Sequence, residues 1–541
     1  MRTRVLSAVI LVAAVSSPQA QGTIPAHVRA AADRITVDQI TRDLDFLSSD
    51  ALLGRATPSP GFDAAAKYIA DRLKGAGLKP AGDDGTFFQH YTMRESTVDA
   101  AASYIEAGGT RLPLGSGLTL VTFAGPVSGS FKAVYVGHGW TVPARSIDPF
   151  AGLDVRGKVV IAHAPAAMPK GVTIPSLGRI TPGASSVVVE AGRRGAAAVV
   201  YLASPAPPAG ARPRGPQNMR RREMEPSVPS AYAAPLVTSL ALSADGARAL
   251  LAGEPNGADL VAKGEAQDYS ASFELSKPVT LAIATATSLT HRPLNVVAIL
   301  EGSDPALKGE YLTVFSHLDG AVGSRTVDGD AIYNSADDNA SGSAGTLSIA
   351  EQMAKTPPKR SIIFVWDSGE EVGLWGTRFF VANPPVPLDR IVAHFNIDMI
   401  GANRAPGSAD AAEARVTGPN EVFLIGPGVL SARADALLER VNGEYLKLGF
   451  NRQDDRGDSS FFYPRTDAGP FLERGILTIN FNTGIHDRYH LPADEAKYLD
   501  TGKATAIART IFVSVWMLAD SAERPGIDKP IPPNVPRYGA R

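Results

Sequence analysis

The residues best suited to chemistry in this chain are five of metal-ligand type, each set just after an apolar run that predicts a strand. They are His317 in Ser316-His317-Leu318-Asp319, Asp338 in Ala336-Asp337-Asp338-Asn339, Glu371 in Gly369-Glu370-Glu371, Asp398 in Asn396-Ile397-Asp398-Met399 and His490 in Tyr489-His490-Leu491. Two histidines and three carboxylates exceed what one tetrahedral site takes and suit a pair of zinc ions. Asp338 can bridge the two, because a carboxylate has two oxygens. Glu370 is not needed as a ligand and is left to act as a general base. Asp319 can orient the imidazole of His317 or cap the following turn. Tyr489 can offer its hydroxyl to a developing oxyanion, or serve packing alone. Singly, each of these residues is ordinary: a satisfied histidine, a solvated Glu-Glu pair, a helix cap, a turn. Their joint order predicts one metal site and a metal-dependent hydrolase.

Such residues must be carried by a frame. From about residue 290, strands are predicted over 296–300, 311–316, 361–366, 392–397 and 476–481, with helices over 342–355 and 432–448. Alternating strands and helices imply an α/β fold with a mixed, mainly parallel sheet flanked by helices. Ligands in such sheets bind beyond the carboxyl ends of the strands. His317, Glu370 with Glu371, Asp398 and His490 all fall there. Residues 36–78 predict two helices, one with Ile40, Leu44 and Leu47 on a face and one with Ala66, Ile69, Leu73 and Ala76, separated by a turn at Leu53-Gly54-Arg55. From about 105 to 285 the texture is of short β runs broken by Gly and Pro, which predicts a separate β-rich domain. Within it, Pro205–Pro229 is Pro- and Arg-rich and predicts a solvated loop. The expected division is therefore 28–105 with 286–520 as the catalytic domain, 106–285 as an insert, and 521–541 as a Pro-rich, loosely held tail.

Composition bounds the rest. The chain has 541 residues, 44% hydrophobic, with a net charge of -2 and no cysteine. A large core is possible, disulfides are excluded, and nothing electrostatic favours nucleic acid or an anionic membrane. Arg2 and Arg4, the apolar run Val5–Val15 and the small residues up to Ala20 predict a signal peptide over 1–20, hence export to the periplasm or the extracellular space. The run is shorter than a membrane span needs, so no stable membrane anchor is expected.

The motifs resemble those of the co-catalytic di-zinc exopeptidases, which include bacterial leucyl aminopeptidases, glutamate carboxypeptidases and the single-zinc glutaminyl cyclases. The likeness runs through His317-Leu318-Asp319, Tyr333 to Gly342, Glu370 to Gly376, Asn396 to Gly401 and Tyr489 to Asp494, and through Leu53-Gly54-Arg55 and Gly77-Leu78-Lys79-Pro80. It implies the zinc exopeptidase fold, with two Zn2+ ions per chain. One ion would take His317 and Asp398, the other Glu371 and His490, with Asp338 between them, Glu370 as base and Tyr489 at the oxyanion. The segments Leu153 to Val160 and Ala191 to Val200 resemble a protease-associated domain, inserted into the catalytic fold. The chain departs from the family at Leu318 and Ser335, where Tyr and Gly are common. It departs again at Ala468, where a His is usual, and at Arg488, where an Asp is common. None of these removes a ligand.

The expected activity is removal of N-terminal residues from peptides. A carboxypeptidase or dipeptidase of the same fold is the alternative. It would want cations near the site to hold a carboxylate, and Arg220-Arg221-Arg222 is the candidate run. A catalytically inactive binding module is the third reading, though such a relative would be expected to lose Glu370 or a ligand. No G-x-S-x-G motif supports serine hydrolysis.

Overall fold

The structure is a computed structural model that describes residues 23–163, 169, 184–202, 220–228, 236–263, 271–321, 323, 326–405, 407, 415–459, 465–533 and 535. The expected signal peptide and most of the Pro205–Pro229 stretch lie outside the described residues.

The fold is mixed α/β. Its main sheet has nine strands. Four neighbouring strands at its centre run parallel, in the order Ser361–Asp367, Tyr311–His317, Ile391–Ile397, Leu477–Asn482. All five strands predicted for this part of the chain are present. Sequence patterning missed the short ones that complete the sheet: Lys79–Pro80 and Phe88–His90, which pair with Leu294–Leu300, and Glu421–Ile425 with Gly449–Asn451. Too short to show a period, they rest on pairing alone.

Every residue of Ser361–Asp367 and Ile391–Ile397 is buried, because helices cover both faces of the sheet. On one face pack Gly342–Met353, Thr501–Asp520 and Pro60–Gly75. On the other lie Trp375–Ala382 and the short helix Ala468–Glu473. Here Phe315 meets Phe380 and Phe471 edge-on, with ring centroids 5.0 and 5.1 Å apart. The tail beyond Asp520 is not loose over its described part. Ile527 and Ile531 pack on the core, and Asp528 accepts from Ser431 Oγ at 3.0 Å and Ala432 N at 2.6 Å, capping the helix Ala432–Glu444.

The middle of the chain builds two further sheets. A five-stranded antiparallel one contains the long strands Thr92–Ala107 and Val279–His291. A six-stranded one has Ala133–Tyr135, Val159–His163, Ala198–Leu202 and Ser239–Leu242 parallel at its centre. The expected boundaries at 105/106 and 285/286 fall inside the two long strands. Arg220 to Arg222 do not form a solvated loop: Arg220–Glu225 is a strand paired with Thr92–Ala107. Arg220 and Arg222 pair with Glu95, and Arg221 pairs with Glu223.

Candidate metal centre

The carboxyl ends of the parallel strands meet at one place, and the ligand-type residues are there. His317 closes the strand Tyr311–His317, and Asp398 follows Ile391–Ile397 directly. Glu370 and Glu371 occupy the turn between Ser361–Asp367 and the helix Trp375–Ala382. That turn is tight at Gly369, which has a φ of +73°, and a Cβ there would stand 2.9 Å from the Tyr91 hydroxyl. Asp338 sits in the wide helical turn Ala336–Ser341, which leads into Gly342–Met353. His490 lies on the loop after Leu477–Asn482.

The side chains converge. Asp338 Oδ1 is 3.2 Å from His317 Nε2, and its Oδ2 is 3.0 Å from His490 Nε2. Asp398 Oδ1 lies 3.4 Å from His317 Nε2, and Glu371 Oε2 lies 3.1 Å from His490 Nε2. Two donor groups thus face one another across a single carboxylate. His317 Nδ1 is 3.1 Å from the backbone oxygen of Asp319. A carbonyl only accepts, so Nδ1 carries a proton and Nε2 is the nitrogen turned toward the acidic residues, where a metal ion would be bound. Asp319 therefore orients the ring through its main chain. Its carboxylate accepts instead from Glu370 N at 3.3 Å.

The donor set fits a divalent cation. His317 Nε2, Glu371 Oε1 and Asp398 Oδ1 are buried without a hydrogen bond, an arrangement that costs free energy unless a cation meets them. One ligand atom from each of His317, Asp338 and Glu371 lies within 4.8 Å of the others. The electrostatics agree. Burial pushes the Glu371 carboxyl up to about 8, with Asp338 adding to the effect. Burial also raises Glu370 well above the usual range, with Glu371, Asp467 and Asp398 adding to it. Against burial, Asp338 and Glu371 hold the His490 imidazole up at about 10. The cluster draws a positive charge to the position a metal ion would take.

Tyr489 stacks on the His490 ring, with centroids 3.7 Å apart, and its hydroxyl accepts from Arg465 Nη2 at 3.0 Å. Sequence reasoning missed Arg465. It also missed the part played by Arg55, a fully buried guanidinium. Arg55 donates to the backbone oxygens of Leu318, Asn334 and Ser335, each at 2.9 Å, and to that of Leu47. It joins the loop after His317 to the loop before Asp338. A lone Arg after Leu-Gly in a turn carries no pattern that would reveal this.

Residues 295–515 match the model of Peptidase family M28. The aminopeptidase of Pseudomonas aeruginosa strain UCBPP-PA14 is 30% identical over 194 residues, 35% of this chain and 31% of the relative. Aminopeptidase YwaD of Bacillus subtilis strain 168 is 24% identical over 198 residues, 35% of this chain and 39% of the relative. The matched stretch thus spans about a third of the length of these curated relatives. The solved aminopeptidase from Aneurinibacillus sp. strain AM-1 superposes with a TM-score of 0.53 at 19% identity, covering 94% of this chain and 100% of that one, a likeness of fold. The central strands and all five ligand-type residues fall inside the segment that matches the model of Peptidase family M28.

Proposed function

We propose that the protein is a zinc-dependent aminopeptidase that removes N-terminal residues from peptides, with two zinc ions per chain. The observation that carries this reading is the Asp338 carboxylate, whose two oxygens face two histidines at 3.2 and 3.0 Å. His317 and Asp398 would hold one ion, His490 and Glu371 the other, and Asp338 both. Zinc, when bound, supplies the Lewis acidity that lowers the pKa of a water and polarises a peptide carbonyl. Glu370 takes a proton from the water as its oxygen bonds to the carbonyl carbon. It then gives the proton to the leaving nitrogen as the C–N bond breaks. The Tyr489 oxygen accepts from Arg465, so its own proton remains for the developing oxyanion.

A second reading, cleavage of dipeptides or of C-terminal residues, is favoured by one observation. Arg465 places an exposed guanidinium 3.0 Å from the Tyr489 hydroxyl, where it could meet a substrate carboxylate. The Arg220 to Arg222 run is spent on Glu95 and Glu223 and offers no such clamp. The two middle sheets are proposed to be a protease-associated domain, on the likeness of Leu153 to Val160 and Ala191 to Val200. The charged and apolar pattern of residues 1–20 supports export to the periplasm or the extracellular space. Among the described residues no helix is long and apolar enough to cross a membrane.

Metal content and turnover on one purified sample test the assignment. Amino-acid arylamides, N-blocked peptides and dipeptides are assayed before and after chelation. About two zinc ions per chain, with cleavage only at free N-termini, is the expected result. Cleavage of N-blocked peptides would turn the assignment to the second reading. Absence of both metal and turnover would leave a binding module.

A further inference from the structure

Behind the centre lies a second buried group of charged residues that the proposed chemistry does not use. His486 is 4% exposed and stands four residues before His490 on the same loop. Its Nε2 is 3.4 Å from Asp337 Oδ2 and 3.8 Å from Asp494 Oδ1, and neither ring nitrogen makes a hydrogen bond. Both carboxylates are buried. Each also binds the loop that carries Asp338. Asp494 accepts from the backbone N–H of Asp337 at 3.0 Å and of Asp338 at 3.1 Å. Asp337 Oδ1 accepts from Ser341 Oγ at 3.0 Å and Gly401 N at 2.8 Å.

Two carboxylates this deep repel each other unless a cation stands between them. Burial, and to a smaller degree Arg488 on the same loop, opposes a charge on His486, yet Asp337 and Asp494 prevail and hold the imidazole above its usual range. We propose that His486, an imidazolium between Asp337 and Asp494, is a positioning residue: it locks the loop bearing Asp338 to the loop bearing His490 and thereby sets the affinity for zinc. The inference rests on the reading of Asp338 and His490 as ligands. Without the imidazolium, Asp494 is driven from Asp337. The two amides it holds are released, and the 3.0 Å approach of Asp338 to His490 loosens.

The test is zinc affinity of the full chain, by competition with a chromogenic chelator, with a thermal melt of each metal-free variant. His486→Asn is expected to weaken zinc binding by about 10- to 100-fold, the usual effect of losing a group that supports a ligand. The double variant His486→Asn with Asp337→Asn is expected to regain most of that loss. The amide keeps the oxygen that serves Ser341 and Gly401 while removing the charge left uncompensated. A role in shape alone would show no such recovery. If His486→Asn does not fold, folding of the double variant supports the charge lock, and failure of both overturns it. Wild-type affinity in His486→Asn overturns the inference while leaving the proposed function standing. A wild type that binds no zinc overturns the proposed function and this inference with it.

Discussion

At the scale of single residues, the site separates groups that would touch the reacting atoms from groups that hold them in place. Glu370 belongs to the first kind. Glu370→Gln is expected to lower kcat by about 10²- to 10⁴-fold while zinc content stays at the wild-type level. A variant that loses metal in parallel with activity would make Glu370 a ligand instead. Arg55 belongs to the second kind. Arg55→Met takes a donor from four buried backbone oxygens, of which, among the described residues, Ser335 O alone keeps another in Ala340 N, and is expected to cost about 3–5 kcal/mol, read from denaturant midpoints. Destabilisation below about 1 kcal/mol would mean that those oxygens find other donors. Four of the ligand-type residues were legible because they come after predicted strands, whose ends are where such sheets gather their ligands, whereas Asp338, in a helical turn, was legible only as a member of the ordered set. Asp319 was half legible: sequence places it beside His317 but does not say whether carboxylate or main chain faces the ring. Arg465 and His486 were not legible as partners, since their contacts come from loops that only the fold brings together.

At the scale of elements, the helix Thr501–Asp520 escaped sequence reading because it is apolar nearly all round and shows no polar face to give a period. Its burial has a consequence for Lys503, in its first turn. The ammonium is 4% exposed and donates to Ala402 O at 2.7 Å and to Thr417 Oγ1 at 2.9 Å. Burial lowers it to about 8, although Asp337, Asp500 and Glu421 work the other way. The folded pKa is depressed, so below pH 8 folded and unfolded chains both carry the proton and stability bears the whole cost. Between pH 8 and about 10.5 the folded chain sheds its proton first, the unfolded chain binds more, and stability rises with pH. Urea midpoints at pH 7.5 and 9.5 should therefore move upward in the wild type relative to Lys503→Met, by up to about 3 kcal/mol over the full window. Parallel behaviour of the two proteins would show that Lys503 titrates normally. The strand Arg220–Glu225 escaped for another reason: its arginines read as solvated until Glu95, far back in the chain, is found opposite them.

For the whole molecule, the centre draws its ligand-type residues from five separate segments, so zinc bound there stabilises only the assembled fold. Chelation is expected to lower Tm, and added zinc to restore it in proportion to the logarithm of its concentration, as binding to the native state alone requires. A Tm indifferent to metal would place any bound ion outside the core. The mixed α/β class was legible from the alternation of strands and helices. The interleaving of the sheets was not, because the long strands Thr92–Ala107 and Val279–His291 cross the places where composition changes. The helix Ala26–Asp33 and the turn after it are tied down by segments distant in sequence: Arg29 donates to Glu444 O at 3.1 Å, and Arg509 donates to Ile35 O at 2.8 Å. Contacts over more than 400 residues of sequence set an order of events during synthesis. During synthesis the segment 26–35 therefore waits without these partners until Glu444 and Arg509 have left the ribosome. A site gathered from segments as far apart as His317 and His490 stays unassembled on the ribosome until His490 has emerged.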